Sequence, residues 1–142
     1  MGDGDESEAR AEAREMDPAE EARVTSARKV ALAIAEAALD RKALNVVILD
    51  VVGKVDYADY VVVMSGRSDR QVAAIANNVS KDVEQKTGTR CLSLEGLPQA
   101  SGVLMDFGDV IAHVFHEDTR GYYDLESLWI DAPRVPFDDP SA

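Results

Sequence analysis

The chain has 142 residues, a hydrophobic fraction of 46% and a net charge of −12 from 27 acids against 15 bases. That length allows one domain with a sizeable core plus tails, and the acidity argues against a protein that grips nucleic-acid phosphates directly. Complementary charge instead favours a basic protein surface as partner, while the same acidity would also serve solubility alone.

Charge is unevenly placed. Residues 1–23 hold nine acids against three arginines, net −6, which leaves 18 acids and 12 bases for the rest. Residues 1–26 carry no aromatic side chain and almost no large aliphatic one, so they cannot offset their ordering entropy. They read as a disordered or transiently helical acidic tail, with Pro18 blocking one long helix. The start of the chain has neither the basic and apolar pattern of a signal peptide nor the acid-poor composition of a transit peptide. Apolar runs such as residues 60–64 are too short to span a bilayer. The single cysteine, Cys91, fits a reducing compartment and has no catalytic partner in sequence.

Residues 30–39 form a strong helix pattern, with Val30, Ile34 and Ala38 on one face. Residues 46–52 (VVILDVV) predict a buried strand and residues 60–64 (YVVVM) a second one. Ser68 is the N-cap of the best-marked helix, Gln71 completes a capping box, and Val72, Ile75, Val79 and Val83 make its apolar stripe. Gly88 suits the left-handed C-cap position. A short strand at residues 91–94 precedes a loop. Residues 103–115 (VLMDFGDVIAHVF) then read as a β-hairpin around a Gly/Asp turn, apolar enough on both faces to sit inside a sheet under helical cover. A last helix carries Tyr122, Leu125 and Trp129 on one face, with Tyr123 partly surface-directed. Pro133 and Pro136 end it, leaving residues 132–142 as a flexible tail around a domain of residues 27–131. The order helix–strand–strand–helix–strand–hairpin–helix predicts an α/β fold of the mixed α+β kind, a five-stranded mixed sheet layered with helices.

Several groups could carry chemistry. Asp106 and Asp109 resemble a metal-binding acid pair, but a spacing of three across Gly108 does not project both from one strand face, and turn aspartates bond their own backbone. Asp106-Phe107-Gly108 copies a kinase tripeptide without the loops that must accompany it. His113 and His116 point to opposite faces and are too few for zinc; His113 reads as a hydrogen-bonded core or interfacial histidine. The turn at residues 65–68 could hold an anion, although capping explains it.

Ordered blocks then make the chain resemble the ribosomal silencing factor family, RsfS, also called Iojap. They are residues 47–51 (VILDV), 59–68 (DYVVVMSGRS) with Gln71-Val72 and Ala74-Ile75-Ala76, Glu95-Gly96, 106–115 (DFGDVIAHVF), and 122–126 (YYDLE) before Leu128-Trp129. The resemblance implies a nucleotidyltransferase-like fold without catalytic equipment, metal or cofactor. It implies a partner, ribosomal protein L-fourteen on the large ribosomal subunit, whose binding blocks subunit joining and represses translation under nutrient limitation. It implies no DNA binding, no membrane, homodimers of some members when free, and a bacterial cytoplasm or, after transit-peptide removal, an organelle. One departure stands out: where the family places tryptophan before the fourth strand, this chain has Gly102, which supplies no aromatic anchor. Expected partner contacts are Gly102, Asp106, Asp109, His113 and Tyr123, with Gly108 and Trp129 structural. The competing expectation is a metal-dependent nucleotidyl- or phosphoryl-transfer enzyme built on Asp106, Asp109 and the turn at residues 66–68.

Overall fold

The computed structural model describes residues 16–97, 101–118 and 132–139. Helix α1 spans Pro18–Asp40, and it begins inside the stretch expected as a disordered tail. Pro18 starts this helix rather than blocking it, since its missing N–H is one the first turn leaves unbonded anyway. Asp17 caps the helix by accepting from the Glu20 N–H at 2.8 Å, and Glu20 and Glu21 complement the positive end of its dipole. The boundary expected at residues 26/27 therefore falls within one continuous element. Val24, Ala27, Ala31, Ile34 and Ala38 face the core, and alanines at positions 33, 35 and 37 are buried as well. A helix enclosed this far needs small side chains to lie close against its neighbours.

Strands β1 (Leu44–Asp50) and β2 (Tyr60–Gly66) pair antiparallel, with a register irregularity between Leu44 and Val47. Asn45 sits there at φ 50°, a conformation that asparagine tolerates better than most residues. β1 stops two residues earlier than predicted because the Asp50 carboxylate accepts from the Val52 N–H at 3.1 Å and turns the chain.

Helix α2 spans Asp69–Thr87, and Val72, Ile75, Val79 and Val83 are buried as their spacing predicts. Ser68 Oγ accepts from the Gln71 N–H at 3.1 Å, and Gly88 closes the helix at φ 76°. The capping box differs in one detail. Gln71 Oε1 accepts from the Arg67 N–H at 2.6 Å, not from Ser68, so its amide nitrogen is free to bond the carbonyls of Arg41 and Lys42 at the end of α1.

β3 (Ser93–Gly96), β4 (Gly102–Asp106) and β5 (Val110–His116) complete a sheet in the order β1-β2-β5-β4-β3. Only β2 and β5 pair in parallel. The β4–β5 hairpin lies inside the sheet as expected, and the third strand falls two residues later than predicted. Both helices pack on one face, against Ile48, Tyr60, Val62, Met64, Met105, Val110, Ala112 and Val114. A second cluster, Leu49, Val51, Val61, Val63 and Phe115, lies on the other face with Ala58 and Ala132.

The expected flexible tail is anchored over its described part. Pro133 O accepts from the Asp50 N–H at 2.8 Å and the Val135 N–H donates to Ile48 O at 2.9 Å. Ala132 joins the second cluster while Val135 joins the helix-side core, so this strap crosses the outer edge of β1 from one face to the other. The prolines end regular pairing without preventing this cover, because an edge strand accepts irregular partners.

Candidate partner-binding face

Strand alternation sorts side chains between the two faces. Val63 on β2, His113 on β5 and Leu104 on β4 stand in line across the sheet, on the face opposite the helices. Ile111 and Asp106 form the next row, and Glu95 on β3 continues the row of Leu104. Burial declines across this surface: Val63 is buried, His113, Leu104, Ile111 and Asp106 are half-buried, and Glu95 is exposed. The result is an apolar strip with an acidic border.

His113 stacks on Phe115 with ring centroids 5.6 Å apart and an interplanar angle of 7°. Its Nδ1 is buried with no hydrogen-bond partner among the described residues. Burial pushes its pKa down to about 4, leaving the ring neutral at pH 7.

Asp106 and Asp109 separate as their spacing implies. Asp106 Oδ1 accepts from the Gly108 N–H at 2.7 Å, and the Phe107 N–H donates to Val110 O at 2.9 Å to close the hairpin. Gly108 adopts φ 93°, and a would-be Cβ meets only Leu92 Cδ1 at an ordinary 3.8 Å, so backbone conformation rather than crowding demands glycine there. Asp109 is exposed, and its carbonyl accepts from the Asp59 N–H at 2.7 Å. Among the described residues no group of three His, Cys, Asp or Glu is placed to hold a metal.

Gly102 requires a correction. It is buried at the start of β4 with φ 152°, and a Cβ built there lies 2.2 Å from Val114 O and 3.0 Å from Phe115 Cα. It offers no surface to a partner; it lets two backbones approach. Neighbouring bonds hold that approach in place, from Leu97 N–H to Gly102 O at 2.8 Å and from His116 N–H to Ser101 O at 3.0 Å. Tyr123 and Trp129 lie outside the described residues.

Two features were not singled out from sequence. Asp59, within a recognised block, is buried and paired with Arg23 on α1. Leu92 and Leu94, 70% and 48% exposed, leave an apolar rim beside β3. Neither has a local pattern to announce it. Cys91 is half-buried, burial pushes its thiol pKa up, and its Sγ donates to Ser93 O, which suits a structural thiol.

Comparison with known proteins bears on the identity of the chain. Residues 24–142 match the family model described as ribosomal silencing factor during starvation, RsfS. The ribosomal silencing factor RsfS of Bacillus subtilis is 45% identical over 111 residues, spanning 78% of this chain and 93% of that protein. The RsfS of Halalkalibacterium halodurans is 49% identical over 96 residues, 68% of this chain and 81% of that protein. The chloroplastic protein Iojap of Zea mays is 31% identical over 110 residues, 76% of this chain but 47% of that protein. Among solved structures, a Chromobacterium violaceum protein superposes with a TM-score of 0.68 at 30% identity, covering 80% of this chain and 95% of that one. A Bacillus halodurans protein superposes at 0.61 and 42% identity, covering 77% and 95%. With a family match that takes in α1 from Val24 through the β1 strap, this chain belongs to the ribosomal silencing factor (RsfS) family.

Proposed function

We propose that this chain docks on ribosomal protein L-fourteen of the large ribosomal subunit, blocks joining of the small subunit and so represses translation when nutrients are scarce. The observation that carries the reading is family membership over nearly the whole described chain. The half of the sheet that no described helix covers supports it physically. Leu104 and Ile111 supply apolar area, His113 supplies a neutral ring whose Nδ1 has no partner among the described residues, and Asp106 and Glu95 supply an acidic border. A desolvated apolar centre inside a charged rim is the usual anatomy of a protein interface, and an acidic rim suits a basic ribosomal protein.

Asp106, Asp109 and His113 remain in the proposed contact set, joined by Leu104 and Ile111. Tyr123 stays in it on sequence grounds, and Gly102 leaves it because it is buried. The protein acts by occlusion and not as an enzyme, in a bacterial cytoplasm, with homodimers covering the same face in the free state. Among the described residues no helix is long and apolar enough to cross a membrane.

The test is co-sedimentation of the purified chain with large ribosomal subunits from its source, followed by light scattering of subunit joining. Binding with loss of joining is the expected result. Subunits that join at their normal rate with the chain bound would overturn the occlusion mechanism.

A further inference from the structure

The net charge of −12 conceals one basic corner. Arg41 and Lys42 follow α1, and Arg67 and Arg70 flank the start of α2; the four are 29 positions apart at the widest and exposed. Gln71 ties them together. Its side-chain amide donates to Arg41 O at 3.2 Å and to Lys42 O at 3.0 Å, while its Oε1 accepts from the Arg67 N–H at 2.6 Å. Arg70 is its chain neighbour.

None of the four cations forms an ion pair with a described residue. The acids adjacent in sequence are Asp40 and Asp69, and the field of Asp40 acts on Lys86, whose pKa it helps to raise. Four cations against the two neighbouring acids leave this corner positive, which favours an anionic partner there. Three of the four are arginines, whose planar forks match phosphate oxygens two at a time. The corner also has a fixed relation to the docking face. Arg67 follows Gly66, which pairs with His116 at the end of β5. His116 is three residues, roughly 10 Å, beyond His113 along the same strand.

We propose that Arg41, Lys42, Arg67 and Arg70 form a contact for the phosphate backbone of double-helical RNA. Ribosomal RNA beside the docked protein is the source, and that assignment of source rests on the silencing reading. The acidity elsewhere repels a polyanion, so RNA is favoured at this corner, which orients the protein as it docks.

The experiment titrates the full chain against a fluorescein-labelled RNA duplex of about 16 base pairs, the span of a typical duplex-RNA module, and reads anisotropy. Salt is varied from about 50 to 200 mM, the range over which phosphate contacts lose affinity steeply. The variant Arg41→Gln/Lys42→Gln/Arg67→Gln/Arg70→Gln keeps every backbone bond to Gln71. The control Arg28→Gln/Lys29→Gln/Lys54→Gln/Lys81→Gln removes the same charge from other exposed positions. Thermal melts establish that both variants are folded.

Expected is a wild-type salt slope that becomes shallower by about 3 in the corner variant, with an affinity loss on the order of tenfold or more, and little change in the control. No duplex binding by the wild type at the lowest salt overturns the proposal, as does equal weakening in both variants. Sedimentation with large subunits, run on the same samples, separates the two ideas. A wild type that pellets with subunits but ignores the duplex loses the RNA contact and keeps the silencing reading. One that binds the duplex but does not pellet keeps the corner and loses that reading.

Discussion

Arg23 reaches from helix α1 to Asp59, 36 residues later in the chain, with Nε 3.1 Å from one carboxylate oxygen and Nη2 3.3 Å from the other. The carboxylate side chain is 10% exposed and the guanidinium 46%. Asp59 also anchors backbone, with its N–H on Asp109 O and its carbonyl accepting from the Val51 N–H. One residue thereby joins the end of β1, the start of β2 and the hairpin turn, and Arg23 adds α1 to that junction. The hydrogen bond and charge of Asp59 raise the Arg23 pKa, so the guanidinium keeps its charge.

A double-mutant cycle on Arg23→Ala and Asp59→Ala is expected to show favourable coupling in urea denaturation. Asp59→Ala alone is the more damaging change because its side chain is the more buried member. Strictly additive losses would mean that the bidentate geometry contributes nothing.

Gly102→Trp is expected to destabilise the free protein by about 3 kcal/mol, because a side chain at this φ meets the Val114 carbonyl. Denaturant midpoints measure this. A stability equal to wild type would show that β4 can part from β5 at little cost.

His113 ties stability to pH. Its folded pKa of about 4 lies below the ordinary value of 6.5. The unfolded chain takes up the proton first, so the stability from keeping this ring neutral is complete above pH 6.5 and is lost as pH falls through 4. Between pH 7 and pH 5 the wild type is expected to lose up to about 2 kcal/mol more than His113→Gln. Parallel pH profiles for the two proteins would contradict this burial of the ring.

Leu104→Glu places a charge in the centre of the proposed interface and is expected to weaken large-subunit binding on the order of tenfold or more. Leu94→Glu is the counterpart on the helix side of the sheet, since Leu94 pairs with Met105 of that core, and is expected to leave binding intact. Equal effects from the two would place the contact elsewhere.

The β1 strap yields a stability prediction as well. Val135→Ala is expected to cost about 2 kcal/mol, the range for truncating a buried aliphatic side chain, as read by urea denaturation. An unchanged midpoint would mean that the strap lies on β1 without stabilising it.

Local pattern in the sequence determined a good deal of this protein. The valine and isoleucine spacing of α2, its Ser68 and Gly88 caps, and the hairpin around Gly108 all depend on residues within a turn or two of each other. Chemistry at that range is legible because it repeats at the period of the element. Spaced blocks likewise carried the family.

Other features depend on what lies opposite in space. The start of α1 reads as a charged tail until Arg23 finds Asp59 and Val24 finds the core. Residues 132–135 read as loose until an unpaired β1 edge accepts them. Gly102 reads as a missing anchor until the Val114 carbonyl is seen 2.2 Å from where its Cβ would be, and four scattered cations become one corner through Gln71. Tertiary structure alone decided these, because steric exclusion and hydrogen bonding act over a few ångströms between segments whose separation in sequence carries no period.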